Sequence, residues 1–131
     1  MSQAKYLVAV VDDDTSVRKA LSRLLTSAGF LAESYSDGAQ FLESLSRSVP
    51  SCAIVDLHMP NMSGLELQAR IAASALHVPV IIITAHDEPT LRARALTAGA
   101  IGYLAKPFPD EVLLDAVAGA ISGLGHSANN S

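Results

Sequence analysis

The sequence predicts an α/β fold: an open, doubly wound parallel sheet with helices on both faces. Three observations predict it. Short apolar runs recur along the chain, KYLVAVV, CAIVD and VPVIIIT among them, without the polar alternation of a half-exposed strand. Such runs suit strands buried on both sides, as in a parallel sheet between helical layers. Helical patterns separate the runs, and regular alternation of strand and helix marks βαβ units. Polar residues stand where the runs finish, at the carboxyl ends of the strands, where ligands of such sheets bind.

Each element follows in order. The first strand, Tyr6 to Val11, closes on Asp12 and Asp13, and a helix over 15–28 follows. Gly29 stands just past it, where a left-handed residue closes a last turn. Leu31 to Tyr35 reads as the second strand, and Asp37 with Gln40 has capping-box spacing ahead of a helix over 38–47. The third strand, Ala53 to Asp56, leads to a helix over 64–75, with Ser63 and Glu66 as a second capping box. Val78 to Thr84 is the fourth strand. Pro89 suits the first turn of a helix over 88–98, closed by Gly99. Ile101 to Ala105 is the fifth strand, and Pro109 suits the first turn of a final helix over 110–122. This (βα)5 order with right-handed crossovers gives a flavodoxin-like sheet ordered 2-1-3-4-5. Residues 1–124 form one domain. Residues 125–131, GHSANNS, have nothing to bury and are expected as a flexible tail or the start of a linker.

Composition narrows the function classes. At 131 residues, with 50% apolar and 17% charged, the chain can bury a proper core. A single cysteine, Cys52, excludes an intrachain disulfide, fits a reducing compartment and reads as a buried, inert thiol. The start, MSQAKYLVAV, lacks the apolar segment of a signal peptide, and no run approaches the ~20 residues of a membrane span. Net charge is −4 without clustered Lys or Arg, so no footprint for nucleic acid is present. The expectation is a cytoplasmic, acidic protein with no membrane contact and no direct nucleic-acid binding.

In the predicted strand order, strands 1 and 3 are neighbours, so Asp12, Asp13 and Asp56 converge. Like charges so placed raise each other's pKa or recruit a cation. All-oxygen ligation with few protein ligands is what Mg²⁺ accepts. Asp56 is then both metal ligand and nucleophile, since carboxylates form aspartyl-phosphates. Lys106 offers a point charge, and the Thr84 hydroxyl a donor, to phosphoryl oxygens. Taken singly, the acids read as turn or helix-cap residues, Thr84 as a strand end and Lys106 as a surface lysine. Together, in one consistent order at separate strand ends, they read as a site for phosphoryl transfer to aspartate. His58, His77, His86 and His126 lack metal-ligand spacing. Tyr103, inside the fifth strand, reads as a core aromatic or as part of a switch.

The segments VVDDD, VDLHMPNMSGLEL, IIITAH and YLAKPF closely resemble the receiver domain of two-component response regulators. The resemblance implies Asp56 as phosphoacceptor, Asp13 as a direct Mg²⁺ ligand and Asp12 as a ligand through water. It also implies a metal bond from the His58 backbone carbonyl, with Mn²⁺ as a substitute ion. Thr84 and Tyr103 become a switch pair, Lys106 the phosphate-pairing lysine, and the Lys106–Pro107 bond cis. The implied partners are a sensor histidine kinase or phosphotransfer protein. A homodimer through helix 4, strand 5 and helix 5, around Leu91, Tyr103 and Val112, is a further expectation. On phosphorylation Tyr103 is expected to rotate from exposed to buried. The resemblance further implies that the protein catalyses only its own phosphorylation and dephosphorylation and is no enzyme toward a separate substrate. DLHMPNMSG and TAHDEP look most like nitrogen-fixation-type transcriptional regulators, whose receivers precede a helix-turn-helix effector. Asp14 adds a third consecutive acid, so the roles within Asp12–Asp14 are uncertain by one position. His58 and His86 follow the phosphoacceptor and the switch threonine at places flanking the attacking water's route.

Three other readings compete. Asp12 to Ser16 nearly satisfies the D-x-D-x-[T/V] pattern of haloacid-dehalogenase-type phosphatases, with Asp12 as nucleophile, but residue 16 is Ser and a cap domain has no room. A flavodoxin-like cofactor binder would want a glycine-rich first loop and flavin-flanking aromatics, and the chain has no Trp. A degenerate receiver used only for interaction conflicts with the complete set of site residues.

Overall fold

The computed structural model describes residues 5–126. Strands β1 (Leu7–Val11), β2 (Leu31–Tyr35), β3 (Cys52–Asp56), β4 (Val80–Thr84) and β5 (Gly102–Ala105) alternate with helices α1 (Thr15–Ser27), α2 (Gly38–Ser44), α3 (Gly64–Ala73), α4 (Pro89–Thr97) and α5 (Asp110–His126). All pairings are parallel, in the order β2-β1-β3-β4-β5. The flavodoxin-like arrangement expected from the sequence is therefore the one adopted.

The side-chain period of a strand divides the core in two. Val8, Val10, Ile54, Ile81 and Ile83 pack against Leu21 and Leu25 of α1 and Leu113 and Val117 of α5. Val11, Val55 and Ile82 pack against Phe41 of α2, Leu67 of α3 and Ala95 of α4. Both faces of β3 and β4 are covered, which is why those segments show no polar alternation. Among the described residues no helix is long and apolar enough to cross a membrane.

Element ends depart from the sequence reading for local reasons. β4 begins at Val80 rather than Val78. Pro79 has no N–H for the ladder, although its carbonyl accepts from the Ala53 amide at 2.9 Å. α2 stops at Ser44, whose hydroxyl donates back to the Phe41 carbonyl at 2.6 Å, and the next bonds tighten to i→i+3. α5 runs on through Gly125 to His126, past the expected stop at 122. Glycine only weakens a helix and need not end it. The remainder of the expected tail, 127–131, lies outside the described residues.

The caps also differ in part. Ser63 and Glu66 form the reciprocal box at the start of α3. Asp37 accepts from the Gln40 amide at 2.8 Å, but the Gln40 side chain turns to Ser36, so that box is one-sided. Pro109 lies just ahead of α5, its carbonyl accepting from the Val112 amide at 3.1 Å. Gly29 and Gly99 take φ values of 96° and 106°, which end α1 and α4 in the left-handed region.

Candidate functional site

The carboxyl ends of the strands gather the polar residues singled out in the sequence. β1 ends before Asp12, which is completely buried. Every polar atom of Asp12 is engaged. Its amide donates to the Tyr35 carbonyl at 3.1 Å, and its own carbonyl accepts from the Arg18 guanidinium at 2.7 Å. Oδ1 accepts from the Asp14 amide at 2.9 Å, and Oδ2 from Lys106 Nζ at 3.0 Å. Asp13 is exposed at the mouth. Asp14 caps α1, accepting from the amides of Ser16 and Val17 at 2.8 and 3.3 Å. The third acid of the run is thus a helix cap and stands apart from the cluster.

Asp56 ends β3 and is buried. Asp12, Asp13 and Asp56 each offer a carboxylate oxygen, and these oxygens lie within 4.8 Å of one another. Lys106 follows β5, at 3.7 Å from Asp56 Oδ1 as well as 3.0 Å from Asp12. Its amide donates to the Thr84 carbonyl at 2.7 Å, and the Lys106–Pro107 bond is cis. Burial pushes the Asp56 carboxyl up to about 6. The Asp12 charge adds to this, against Lys106 and the backbone amide of His58, which favour ionisation; Asp13 raises it further. One ammonium among three carboxylates leaves an excess of negative charge, and the all-oxygen set can hold a hard divalent cation.

α3 approaches this end closely because residue 64 is glycine. A Cβ there would stand 2.6 Å from the Asp56 carbonyl oxygen and 2.9 Å from the Leu57 Cα. The Gly64 amide donates to the Leu57 carbonyl at 2.9 Å. In the preceding loop Asn61 takes φ 71°, a left-handed conformation that asparagine tolerates.

Thr84 is fully buried, and its hydroxyl faces the loop after β4. It accepts from the His86 amide at 3.0 Å and donates to the His86 carbonyl at 3.2 Å. The imidazoles of His58 and His86 meet edge-to-face with centroids 5.7 Å apart. Tyr103 is buried, not exposed, and packs in the same core cluster as Ile82 and Ala95. The Arg92 guanidinium lies 5.3 Å from its ring centroid. The expected exposed-to-buried rotation therefore has no exposed starting point in this structure. Burial raises the phenol pKa, with the Asp87 carboxylate adding to it and the Glu88 backbone and Arg92 opposing.

Asp12, Asp13, Asp56 and Lys106 are brought together, Thr84 is tied to Lys106 through the backbone, Tyr103 lies in the core against α4, and Asp14 caps α1. Three features had escaped the sequence reading: the Arg18 grip on Asp12, the close approach at Gly64 and the meeting of His58 with His86. Arg18 stands one helical turn after the α1 cap, and His58 and His86 each stand two residues past a strand-end site residue, but neither spacing shows the contact itself.

The response regulator receiver domain family matches residues 8–118. Nodulation protein W of Bradyrhizobium diazoefficiens is 38% identical over 119 residues, covering 91% of this chain and 52% of that protein. Transcriptional regulatory protein FixJ of Rhizobium meliloti is 35% identical, covering 86% of this chain and 55% of that protein. The chain thus spans about half the length of these curated relatives. A solved response regulator receiver protein from Burkholderia phymatum is 46% identical, with TM-score 0.80, covering 90% of this chain and 96% of that one.

Proposed function

This chain belongs to the response regulator receiver domain family, and on that premise we propose that it is a phosphorylation-dependent switch with Asp56 as phosphoacceptor. One observation carries the reading. Carboxylate oxygens of Asp12, Asp13 and Asp56 lie within 4.8 Å of one another, with Lys106 Nζ 3.7 Å from Asp56. Receivers interact with histidine kinases, and the donor here is a phosphohistidine on a sensor histidine kinase or a phosphotransfer protein. A small donor such as acetyl phosphate serves the same role.

An Asp56 oxygen attacks the phosphorus in line with the leaving group. The P–O bond forms as the P–N bond breaks, and the donor imidazole leaves with the electron pair. Asp13 and Asp56 would hold the cation directly, with Asp12 acting through water and the His58 carbonyl completing the protein's share. Mg²⁺ suits these hard oxygen donors, and Mn²⁺ takes the same set. A cation held there would supply screening of the acidic pocket and of the charge on the transferring oxygens. Lys106 pairs with one phosphoryl oxygen, and the Thr84 hydroxyl leaves His86 to donate to another.

Output follows through the surface of α4, β5 and α5. Tyr103 is already inside, so the reorganisation starts at Thr84 and the β4–α4 loop, with Tyr103 holding the inward position. That surface carries Leu91 and the exposed Val112 and supports a two-fold homodimer. Residues 1–124 act as the receiver domain, in the cytoplasm. The chain turns over no separate substrate and makes no direct contact with nucleic acid.

Acetyl phosphate treatment followed by intact mass and peptide mapping tests the reading. One phosphoryl group is expected, on Asp56, only with Mg²⁺. Labelling that survives EDTA or Asp56→Asn, or that maps to Asp12 as in a dehalogenase-type phosphatase, overturns it.

A further inference from the structure

Arg18 sits on α1, outside the set of residues that touch the phosphoryl group or the ion. Among the described residues it is nevertheless the one side chain besides Lys106 that holds Asp12. One guanidinium nitrogen donates to the Asp12 carbonyl at 2.7 Å, and the other to the Thr15 hydroxyl at 3.0 Å. The two bonds span the β1–α1 turn from its first residue to the start of the helix. A planar fork makes both bonds from a single side-chain conformation, and the charge-assisted one is short and strong.

This turn carries Asp12 and Asp13. The Asp12 side chain is fixed by the Asp14 amide and by Lys106. A cation entering the cluster competes with Lys106 for the same carboxylate, so that restraint weakens when it matters most. The Arg18 bond is to the backbone, and it persists whatever the carboxylate holds. No side-chain hydrogen bond holds Asp13 among the described residues, so its carboxylate is placed only by the backbone on either side.

We propose that Arg18 is a positioning residue for the cation site, clamping the β1–α1 turn so that Asp12 and Asp13 face Asp56 before the ion arrives. The proposal rests on the metal-dependent reading above. It makes a prediction opposite in sign to simple electrostatics. A cationic guanidinium beside an acidic cluster opposes a divalent cation, so its removal should strengthen binding if charge alone mattered. If the clamp matters, removal weakens binding, by about 10-fold on the scale seen when residues that orient metal ligands are lost.

The test is a Mg²⁺ titration at fixed ionic strength, without any phosphoryl donor, followed through the backbone amides of Asp13 and Asp56 in ¹H–¹⁵N NMR spectra. Arg18→Met is expected to bind about 10-fold more weakly than the parent. Arg18→Lys keeps the charge and one donor and should recover part of the loss. Thr15→Val removes only the second bond, leaves the charge unchanged and should fall between parent and Arg18→Met; it also serves if Arg18→Met fails to fold. The rate of phosphorylation at saturating Mg²⁺ should stay near the parent value in all three. Equal or tighter binding by both Arg18→Met and Thr15→Val overturns the clamp while leaving the receiver reading intact. A parent protein with no saturable shift at those amides overturns the metal reading itself.

Discussion

The hydroxyl of Thr84 holds the His86 backbone on both sides of its Cα, accepting from the amide at 3.0 Å and donating to the carbonyl at 3.2 Å. Both groups are thereby committed to the loop, and His86 is presented to His58. Any ligand that draws the hydroxyl away from the loop frees both bonds at once.

Thr84→Ala should therefore cost about 1–3 kcal/mol, since it removes two hydrogen bonds at a fully buried position. Thr84→Ser keeps the hydroxyl and should recover much of that. Urea unfolding gives the energies. Amide exchange should rise over residues 85–88 in Thr84→Ala before any phosphoryl group is added, and unchanged exchange there would mean the loop is held by something else.

Asp56 makes stability fall with rising pH, the reverse of the usual carboxylate. The unfolded chain titrates near ~3.9, and the folded carboxyl near about 6. Between those values the folded state binds the proton more tightly. The stability contributed by the protonated form is complete below the lower value and lost as pH rises through the upper one, on the order of 1–3 kcal/mol. In EDTA, Asp56→Asn should be more stable than the parent at pH 8, with a smaller difference at pH 5. Mg²⁺ should narrow the gap at pH 8 by stabilising the parent. A parent curve that rises between pH 5 and 8 would contradict the assignment of an unfavourable buried charge.

Gly64→Ala places a methyl group 2.6 Å from the Asp56 carbonyl oxygen and 2.9 Å from the Leu57 Cα, both backbone atoms that cannot swing aside. The expected cost is about 1–3 kcal/mol, as for other overpacked positions. Because the clash is with the backbone of Asp56, Mg²⁺ affinity should weaken as well. Gly119→Ala in α5 meets open space and should be neutral or stabilising. Comparing the two by thermal unfolding separates crowding from helix propensity.

Cys52 has no exposed surface, and burial pushes its thiol up to about 12. Alkylation at pH 8 should therefore proceed no faster than unfolding, and added urea should accelerate it steeply. Rapid modification of the folded protein would show that the start of β3 opens locally.

The strand ends were legible because a parallel sheet aligns carboxyl termini, so a period and an order suffice to bring residues 12, 56, 84 and 106 to one rim. Loop interactions follow no such period. Arg18 reaches a backbone carbonyl, which has no residue signature, and Gly64 matters for an atom it lacks. Of the two readings of Tyr103, the core aromatic is the one the structure adopts, because the face of β5 that carries it is closed by α4. Asp14 shows the limit of reading identical neighbours: three consecutive acids differ only in where the chain turns.

The ion pair between Lys106 and Asp12 joins residues separated by 94 positions. During synthesis the acidic cluster emerges from the ribosome long before the lysine that balances it. β5, which delivers that lysine, is made after the other four strands of the sheet and, among the described residues, pairs only with β4. A nascent chain carrying β1 to β4 therefore has its aspartates without their counter-charge. The balanced cluster arrives only once β5 has been made and has docked on β4.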